Sequence, residues 1–213
     1  MQHFAFLLDD LTSITAVAAE LKLWPFAAAI PYMIVPILML LRLRGSRTLD
    51  GEQTDPPPGA PLLSVIIPAR NEARSIARCL SGALGATYRD IEVIVVNDHS
   101  DDDTGTIARD IAVRDRRVRV IEPPPLPNGW FGKQWACENG AMAASGSFLL
   151  FLDADTLPGP ELFALAVNAM RERKLGFLSA VGRQEMKSFW ERVVQPHIFA
   201  LIALRFGGTG EVN

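Results

Sequence analysis

Ser147-Phe148-Leu149-Leu150-Phe151-Leu152-Asp153-Ala154-Asp155-Thr156 is the stretch whose reading decides the fold. Five consecutive apolar residues run into two carboxylates spaced i, i+2. A short apolar run bounded in this way reads as a buried strand. The carboxylates then stand at its C-terminal end, where open α/β sheets bind their ligands. Both acids fall in one loop, close enough to share one hard cation of the kind held by one or two carboxylates plus substrate phosphates. The spacing alone is weak. About one Asp-x-Asp triplet is expected by chance in a chain this rich in aspartate, and Asp101-Asp102-Asp103 supplies another.

The segments before it repeat the pattern. Leu62–Pro68 is nearly all apolar, as in a strand buried on both faces, and runs into Ala69-Arg70-Asn71-Glu72. Ile76, Cys79, Leu80, Ala83 and Leu84 then recur at helical spacing, with Gly85 as a stop. Ile91–Val96 is a second strand with the exit loop Asn97-Asp98-His99-Ser100. Ile107, Ala108, Ile111 and Ala112 mark a second helix, with Asp101, Asp102 and Asp103 read as a solvated start that the helix dipole favours. Val118–Ile121 is a short strand, 123–129 an irregular loop, and Lys133–Ala144 a helix closed by Ser145-Gly146. Beyond the aspartate pair, Pro160 opens a helix to about Lys174, and 176–181 reads as a further strand. Strands alternating with helices predict a mostly parallel α/β sheet, with the loops 69–72, 97–100 and 153–156 on one edge.

The flanks differ. Leu23–Leu41 has 19 residues without a charge, bounded by Lys22 and Arg42, which suits a bilayer-spanning helix despite three prolines. Arg42, Arg44 and Arg47 follow it, so the positive-inside rule places the rest in the cytoplasm. The expected organisation is an N-terminal segment 1–48 with a membrane helix at about 23–41, a Pro-rich linker 49–61, a globular domain 62–184 and an apolar tail 185–213. That tail reads either as a core helix or as an interfacial one. The chain has 49% hydrophobic residues and a net charge of −3, which excludes a disordered chain and gives no electrostatic case for nucleic acid. Its two cysteines, Cys79 and Cys137, fit a reducing compartment rather than a disulfide framework.

Competing motifs fail on spacing. Gly129–Gln134 contains Gly132-Lys133 but lacks the glycine spacing and the Ser/Thr of a P-loop. No Gly-x-Gly-x-x-Gly follows the first strand, against a dinucleotide fold. A metal-dependent phosphohydrolase of the haloacid dehalogenase type also has a strand ending in Asp-x-Asp, but here Thr156 comes one place early and Leu157 fills its slot.

Taken in order, Val65–Glu72, Val95–Asp102, Gly132-Lys133 with Asn139-Gly140, and Phe151–Asp155 resemble the signature of family 2 glycosyltransferases. Gly129–Cys137 is similar to a narrower branch with hopene-associated and carotenoid glycosyltransferases. The resemblance covers about 62–206 and implies a GT-A fold, a nucleotide-diphosphate sugar donor of the UDP series, a lipid acceptor, Mg2+ or Mn2+, and inversion at the sugar carbon. It implies that Ala69, Asn71 and Glu72 face the nucleotide and that Asp98 accepts hydrogen bonds from the base or ribose. It implies that Asp153 and Asp155 hold the diphosphate through the metal, which stabilises the leaving group as a Lewis acid. Lys133 is either a point charge near the phosphates or a solvated helix start. Trp130 and Trp135 are either acceptor contacts or core, and His99 and His197 read as structural. The catalytic base is expected on a later acidic segment. No motif after Asp155 matches one, Glu185 and Glu191 are poor substitutes, and the chain is expected to be truncated before its acceptor region. The remaining alternative is a non-catalytic nucleotide-binding membrane fragment.

Overall fold

The computed structural model describes residues 54–206 except 58, 181 and 183, together with 30, 33, 34 and 37. Four strands form one parallel sheet: β1 Leu63–Ala69, β2 Ile91–Asn97, β3 Val118–Ile121 and β4 Phe148–Phe151, in the order β3-β2-β1-β4. The chain begins in an inner strand, moves outward through α1 Ile76–Leu84 and α2 Thr104–Arg114, then returns through α3 Gly132–Ala143 to the other side of β1. β1 and β4 are therefore neighbours whose connections leave in opposite directions, the point where open α/β sheets form a ligand crevice.

Register fixes the level of that crevice. Leu63 lies opposite Ile91 and Ala69 opposite Asn97, so β1 and β2 end together. Ile66 lies opposite Phe151, and Leu152 N–H still donates to Ile66 O at 2.9 Å. The three polar loops thus leave the sheet along one edge.

The apolar alternation of β1 and β2 serves two layers. Val65, Ile67, Val93 and Val95 pack on one face with Ile76 and Leu80 of α1, Ala108 of α2, and Phe163 and Val167 of α4 Leu162–Glu172. Ile66, Ile94 and Val96 point the other way, onto Ala136 of α3. Burying each such side chain contributes roughly 1.5–3 kcal/mol. α3 comes unusually close: a Cβ on Gly140 would lie 2.4 Å from Ile66 Cγ2, so only glycine allows this approach. Ser64 is polar and fully buried, yet it donates to Glu92 Oε1 at 2.6 Å and accepts from Gly146 N–H at 2.8 Å.

The structure corrects one expected element. Residues 176–180 form no strand, and Phe177 is 82% exposed. Gly176, Ser179 and Ala180 are weak strand formers, so a locally apolar run lacks the β-branched residues that would hold it.

The chain divides into two compact units, Leu49–Leu178 and the pair Met1–Thr48 with Ser179–Asn213. In the second unit, most of the expected membrane segment 23–41 lies outside the described residues. Of it, Ile30, Met33, Ile34 and Ile37 are helical and exposed. Among the described residues no helix is long and apolar enough to cross a membrane. The tail contains α5 Phe189–Phe206, which starts with a capping box. Glu191 N–H donates to Ser188 Oγ at 3.2 Å, while Glu191 Oε2 accepts from the N–H groups of Lys187 and Ser188 at 2.7 and 2.9 Å. These backbone donors, Ser188 foremost, hold the Glu191 carboxyl below its ordinary pKa. Phe189, Trp190, Ile198 and Leu201 are exposed along α5.

Candidate functional site

The loop after β1 turns sharply. Asn71 adopts φ +57°, a left-handed conformation that asparagine tolerates better than most residues. The turn aims three successive amides at the loop after β2. Asn71 N–H donates to Ser100 Oγ at 3.1 Å, Glu72 N–H to Thr104 Oγ1 at 2.7 Å, and Ala73 N–H to Asp102 Oδ2 at 3.1 Å. Asp101 N–H donates back to Asn71 Oδ1 at 2.9 Å. Asp102 therefore bridges two loops rather than merely lying in solvent at a helix start. Its bonds with Thr104 hold its carboxyl below the usual range. Glu72 Oε2 accepts from Ser75 Oγ, just ahead of α1.

At the end of β2, Asp98 N–H donates to Ala69 O at 2.9 Å, which continues the β1–β2 ladder into the loop. The Asp98 side chain is 12% exposed, with Arg70 Nη1 3.7 Å from Oδ2 and His99 Nδ1 3.3 Å from Oδ1. α3 begins against the same carboxylate. A Cβ on Gly132 would sit 2.9 Å from Asp98 Oδ2, so a larger residue there would push the carboxylate aside. The residue before it, Phe131, is extended and supplies no side-chain cap, leaving the first amides of α3 uncapped by any side chain. Trp135 anchors the preceding loop, donating from Nε1 to Pro124 O at 2.9 Å and packing edge-to-face on Trp130 at 5.1 Å between ring centroids.

Beyond β4, Ala154 is buried while Asp153 is 58% exposed. Lys133 Nζ lies 2.7 Å from Asp153 Oδ1, and this hydrogen bond raises the Lys133 pKa. Cys79 lies in the core with Ala154, and its thiol is pushed up to about 12 by burial first and then by the charges of Asp155, Asp153 and Glu72.

These elements enclose a cleft of about 300 Å3. It brings together Ala69, Glu72, Asp98, Lys133, Asp153 and Asp155 from four separate segments. Asn71 is not among its lining residues; its side chain ties the two loops instead. Arg70 and Gly132 line the cleft and had no assignment from sequence. Arg70 stands inside the Val65–Glu72 motif, which was the available signal; nothing in the sequence marks Gly132 as a neighbour of Asp98. An adjoining apolar cavity of about 510 Å3 shares Lys133 and is bordered by Trp130, Cys137, Ala141 and Phe151.

The donor set suits a hard cation. Asp153 and Asp155 offer oxygen only, and the ammonium already held at Asp153 shows that the position attracts positive charge. Among the described residues no group of three or more His, Cys, Asp or Glu could hold a metal. Two carboxylates therefore leave positions for phosphate oxygens and water, which is the Mg2+-type arrangement.

Comparison with known proteins agrees with this geometry. The family profile for glycosyl transferase family 2 matches residues 64–210. The chain is 36% identical over 115 residues to an uncharacterized glycosyltransferase, EpsJ, of Bacillus subtilis, covering 54% of this chain and 32% of that protein. It is 34% identical over 119 residues to the 4,4'-diaponeurosporenoate glycosyltransferase of Staphylococcus haemolyticus, covering 55% and 31%. This chain thus spans about a third of the length of these relatives. Among solved structures, the mannosyltransferase PcManGT from Pyrobaculum calidifontis, in complex with GDP-Man and Mn2+, superposes with a TM-score of 0.57 at 25% identity, covering 73% of this chain and 45% of that one. The sheet is GT-A like, and the family match leaves the phosphohydrolase reading without support.

Proposed function

We propose a function from one premise: this chain belongs to glycosyl transferase family 2. The full protein moves a sugar from a nucleotide-diphosphate donor, a UDP-sugar, to a lipid-type acceptor at the cytoplasmic membrane face, with inversion. The observation that carries the donor assignment is the convergence of Asp98, Lys133, Asp153 and Asp155 on one cleft at the C-terminal edge of the sheet. Asp98 accepts N–H or O–H groups of the nucleoside, which are donors that a carboxylate matches. Asp153 and Asp155 hold Mg2+ or Mn2+, which neutralises charge on the diphosphate leaving group. Lys133 adds a compact positive charge to the same phosphates. PcManGT, solved with GDP-Man and Mn2+, supports a nucleotide sugar and a divalent cation.

The acceptor and the membrane rest on other features. The Staphylococcus relative bears the name of a 4,4'-diaponeurosporenoate glycosyltransferase, in keeping with the hopene- and carotenoid-associated branch. The apolar run Leu23–Leu41 followed by Arg42, Arg44 and Arg47 supports a single-pass anchor with its basic end inside. The exposed Phe189, Trp190, Ile198 and Leu201 of α5 suit a membrane interface. No residue of the cleft is assigned as the base for the acceptor hydroxyl: its Glu72 is bonded to Ser75.

Calorimetric titration of UDP with and without Mn2+ tests the donor assignment. Asp153→Asn and Asp155→Asn each lower Mn2+-dependent UDP affinity by roughly 100-fold, at or beyond the scale seen when metal-supporting groups are lost. Their circular dichroism and melting temperature stay unchanged, because Asp153 is largely exposed. Unaltered UDP binding in both variants refutes the assignment.

A further inference from the structure

Lys133 occupies an unusual position. Its ammonium holds one oxygen of Asp153 at 2.7 Å, yet both side chains are mostly exposed, at 65% and 58%. An exposed ion pair is weak and breaks readily. Lys133 also lines both the polar cleft and the adjoining apolar cavity, so its flexible stem has open space on two sides. Asp153 and Asp155 are meanwhile the acids assigned to the cation, and the described residues hold no third acid, His or Cys to complete a site with them.

We propose that Lys133 is a displaceable internal counter-ion for Asp153, which makes divalent-cation binding and diphosphate binding depend on each other. This rests on the donor-binding reading above and concerns the order in which that site is filled. A cation arriving alone has to displace the ammonium and then finds only two protein ligands. A diphosphate arriving offers the ammonium a better partner and draws it off Asp153. The freed carboxylate, together with phosphate oxygens, then completes the cation site. The ion pair is broken once when both ligands bind, instead of once for each ligand binding alone. That saving is a positive coupling, and linkage makes it reciprocal. The resting pair also keeps the two aspartates from repelling each other across an empty cleft.

The rival is a static role, in which Lys133 stays on Asp153 and merely orients it. The two differ in sign. If Lys133 is a counter-ion, removing it strengthens cation binding in the absence of nucleotide. If it is an orienting group, removing it weakens cation binding.

The test is Mn2+ binding to the 213-residue chain, followed by electron paramagnetic resonance of free Mn2+ and by calorimetry, with no nucleotide, with UDP and with GDP. In the wild type, nucleotide diphosphate tightens Mn2+ by about tenfold or more, within the usual range of coupling. In Lys133→Met, Mn2+ alone binds about threefold to fivefold tighter, the scale of an exposed ion pair. UDP without metal binds severalfold weaker, and the tightening of Mn2+ by UDP shrinks by the same threefold to fivefold. Lys133→Gln repeats the result, and Lys133→Arg keeps the wild-type pattern. On an Asp153→Asn background, Lys133→Met changes Mn2+ affinity no further. Mn2+ alone binding equally or more weakly in both neutral variants overturns the counter-ion role. If those variants fail while wild-type protein still binds UDP with Mn2+, the donor reading stands and only the coupling falls. If wild-type protein binds neither UDP nor GDP with Mn2+, both fall.

Discussion

The two ends of the cleft are held in different ways. At the β1–β2 end, the amides of Asn71, Glu72 and Ala73 are each satisfied by a side chain of the facing loop or of the first residue of α2, and the Asp98 amide is tied to Ala69. That end is fixed before any ligand arrives. At the β4–α3 end, Asp153 has an exposed ammonium partner, and no side chain caps the helix beside it. The difference matches the chemistry that the proposed donor reading gives each end. A nucleoside is read by directional hydrogen bonds, which gain affinity from preorganisation. A diphosphate with its cation brings its own charge and ligands, so the protein need only supply compensating groups that can rearrange.

The comparison breaks first at Asp98, where the ordered end meets the ligand. Asp98→Ala removes a charge-assisted acceptor for the nucleoside, a bond of about 1.5–3 kcal/mol. UDP affinity in saturating Mn2+ is expected to fall roughly tenfold to hundredfold, while Mn2+ binding alone stays within twofold of wild type. A variant that loses Mn2+ binding but keeps UDP binding would place Asp98 at the wrong end of the cleft.

The stitching between loops is sharpened by Thr104→Val, which keeps the shape of a fully buried side chain and deletes the acceptor for Glu72 N–H. Leaving that donor unpaired costs about 1–2 kcal/mol, or a melting temperature lower by about 3–6 °C. The Glu72 amide should exchange its hydrogen faster, and UDP affinity should fall by less than about threefold, because the acceptor groups themselves remain. An unchanged melting curve with unchanged exchange would mean that the loops are held elsewhere.

How much of this was legible depended on whether a feature is local. The apolar runs of β1, β2 and β4 announce a buried parallel sheet, and their polar exits place Asp98, Asp153 and Asp155 on one edge without further information. Lys133 follows because its helix precedes β4. The loop-tying contact of Asn71 was not legible, because the sequence marks a polar loop without saying which side chains turn back to satisfy amides. That depends on its positive φ. Asp101–Asp103 are an exposed helix start, as their sequence suggests, but the partners of Asp102, Ala73 and Thr104, lie on two segments and were not legible. Gly132 and Gly140 carry information only through what they allow to approach, Asp98 and Ile66, and a contact of that kind has no periodicity. Segment 176–181 misled because apolarity was read without weighing Gly176, Ser179 and Ala180, which are weak strand formers. The interior resisted reading least, and the tie points between loops resisted it most.

The smallest expected effect concerns Arg70, which lines the cleft although its sequence motif gave it no role. Its guanidinium lies 3.7 Å from Asp98 Oδ2 but is 61% exposed, so the pair is loose and screened. Such a pair contributes about 0–1 kcal/mol, and Arg70→Gln should leave stability within about 0.5 kcal/mol of wild type. Arg70 nevertheless borders the cleft proposed to receive the anionic nucleotide, and its charge acts at a distance. UDP affinity should therefore fall by less than about threefold at 0.15 M ionic strength, where the Debye length is about 8 Å, and by more at 0.01 M, where it reaches about 30 Å. Titration at both salt concentrations separates this field effect from contact. A loss above roughly tenfold that is insensitive to salt would show a direct hydrogen bond to the nucleotide. Arg70 would then belong to the ordered, directional end of the cleft with Asp98, rather than to its electrostatic surroundings.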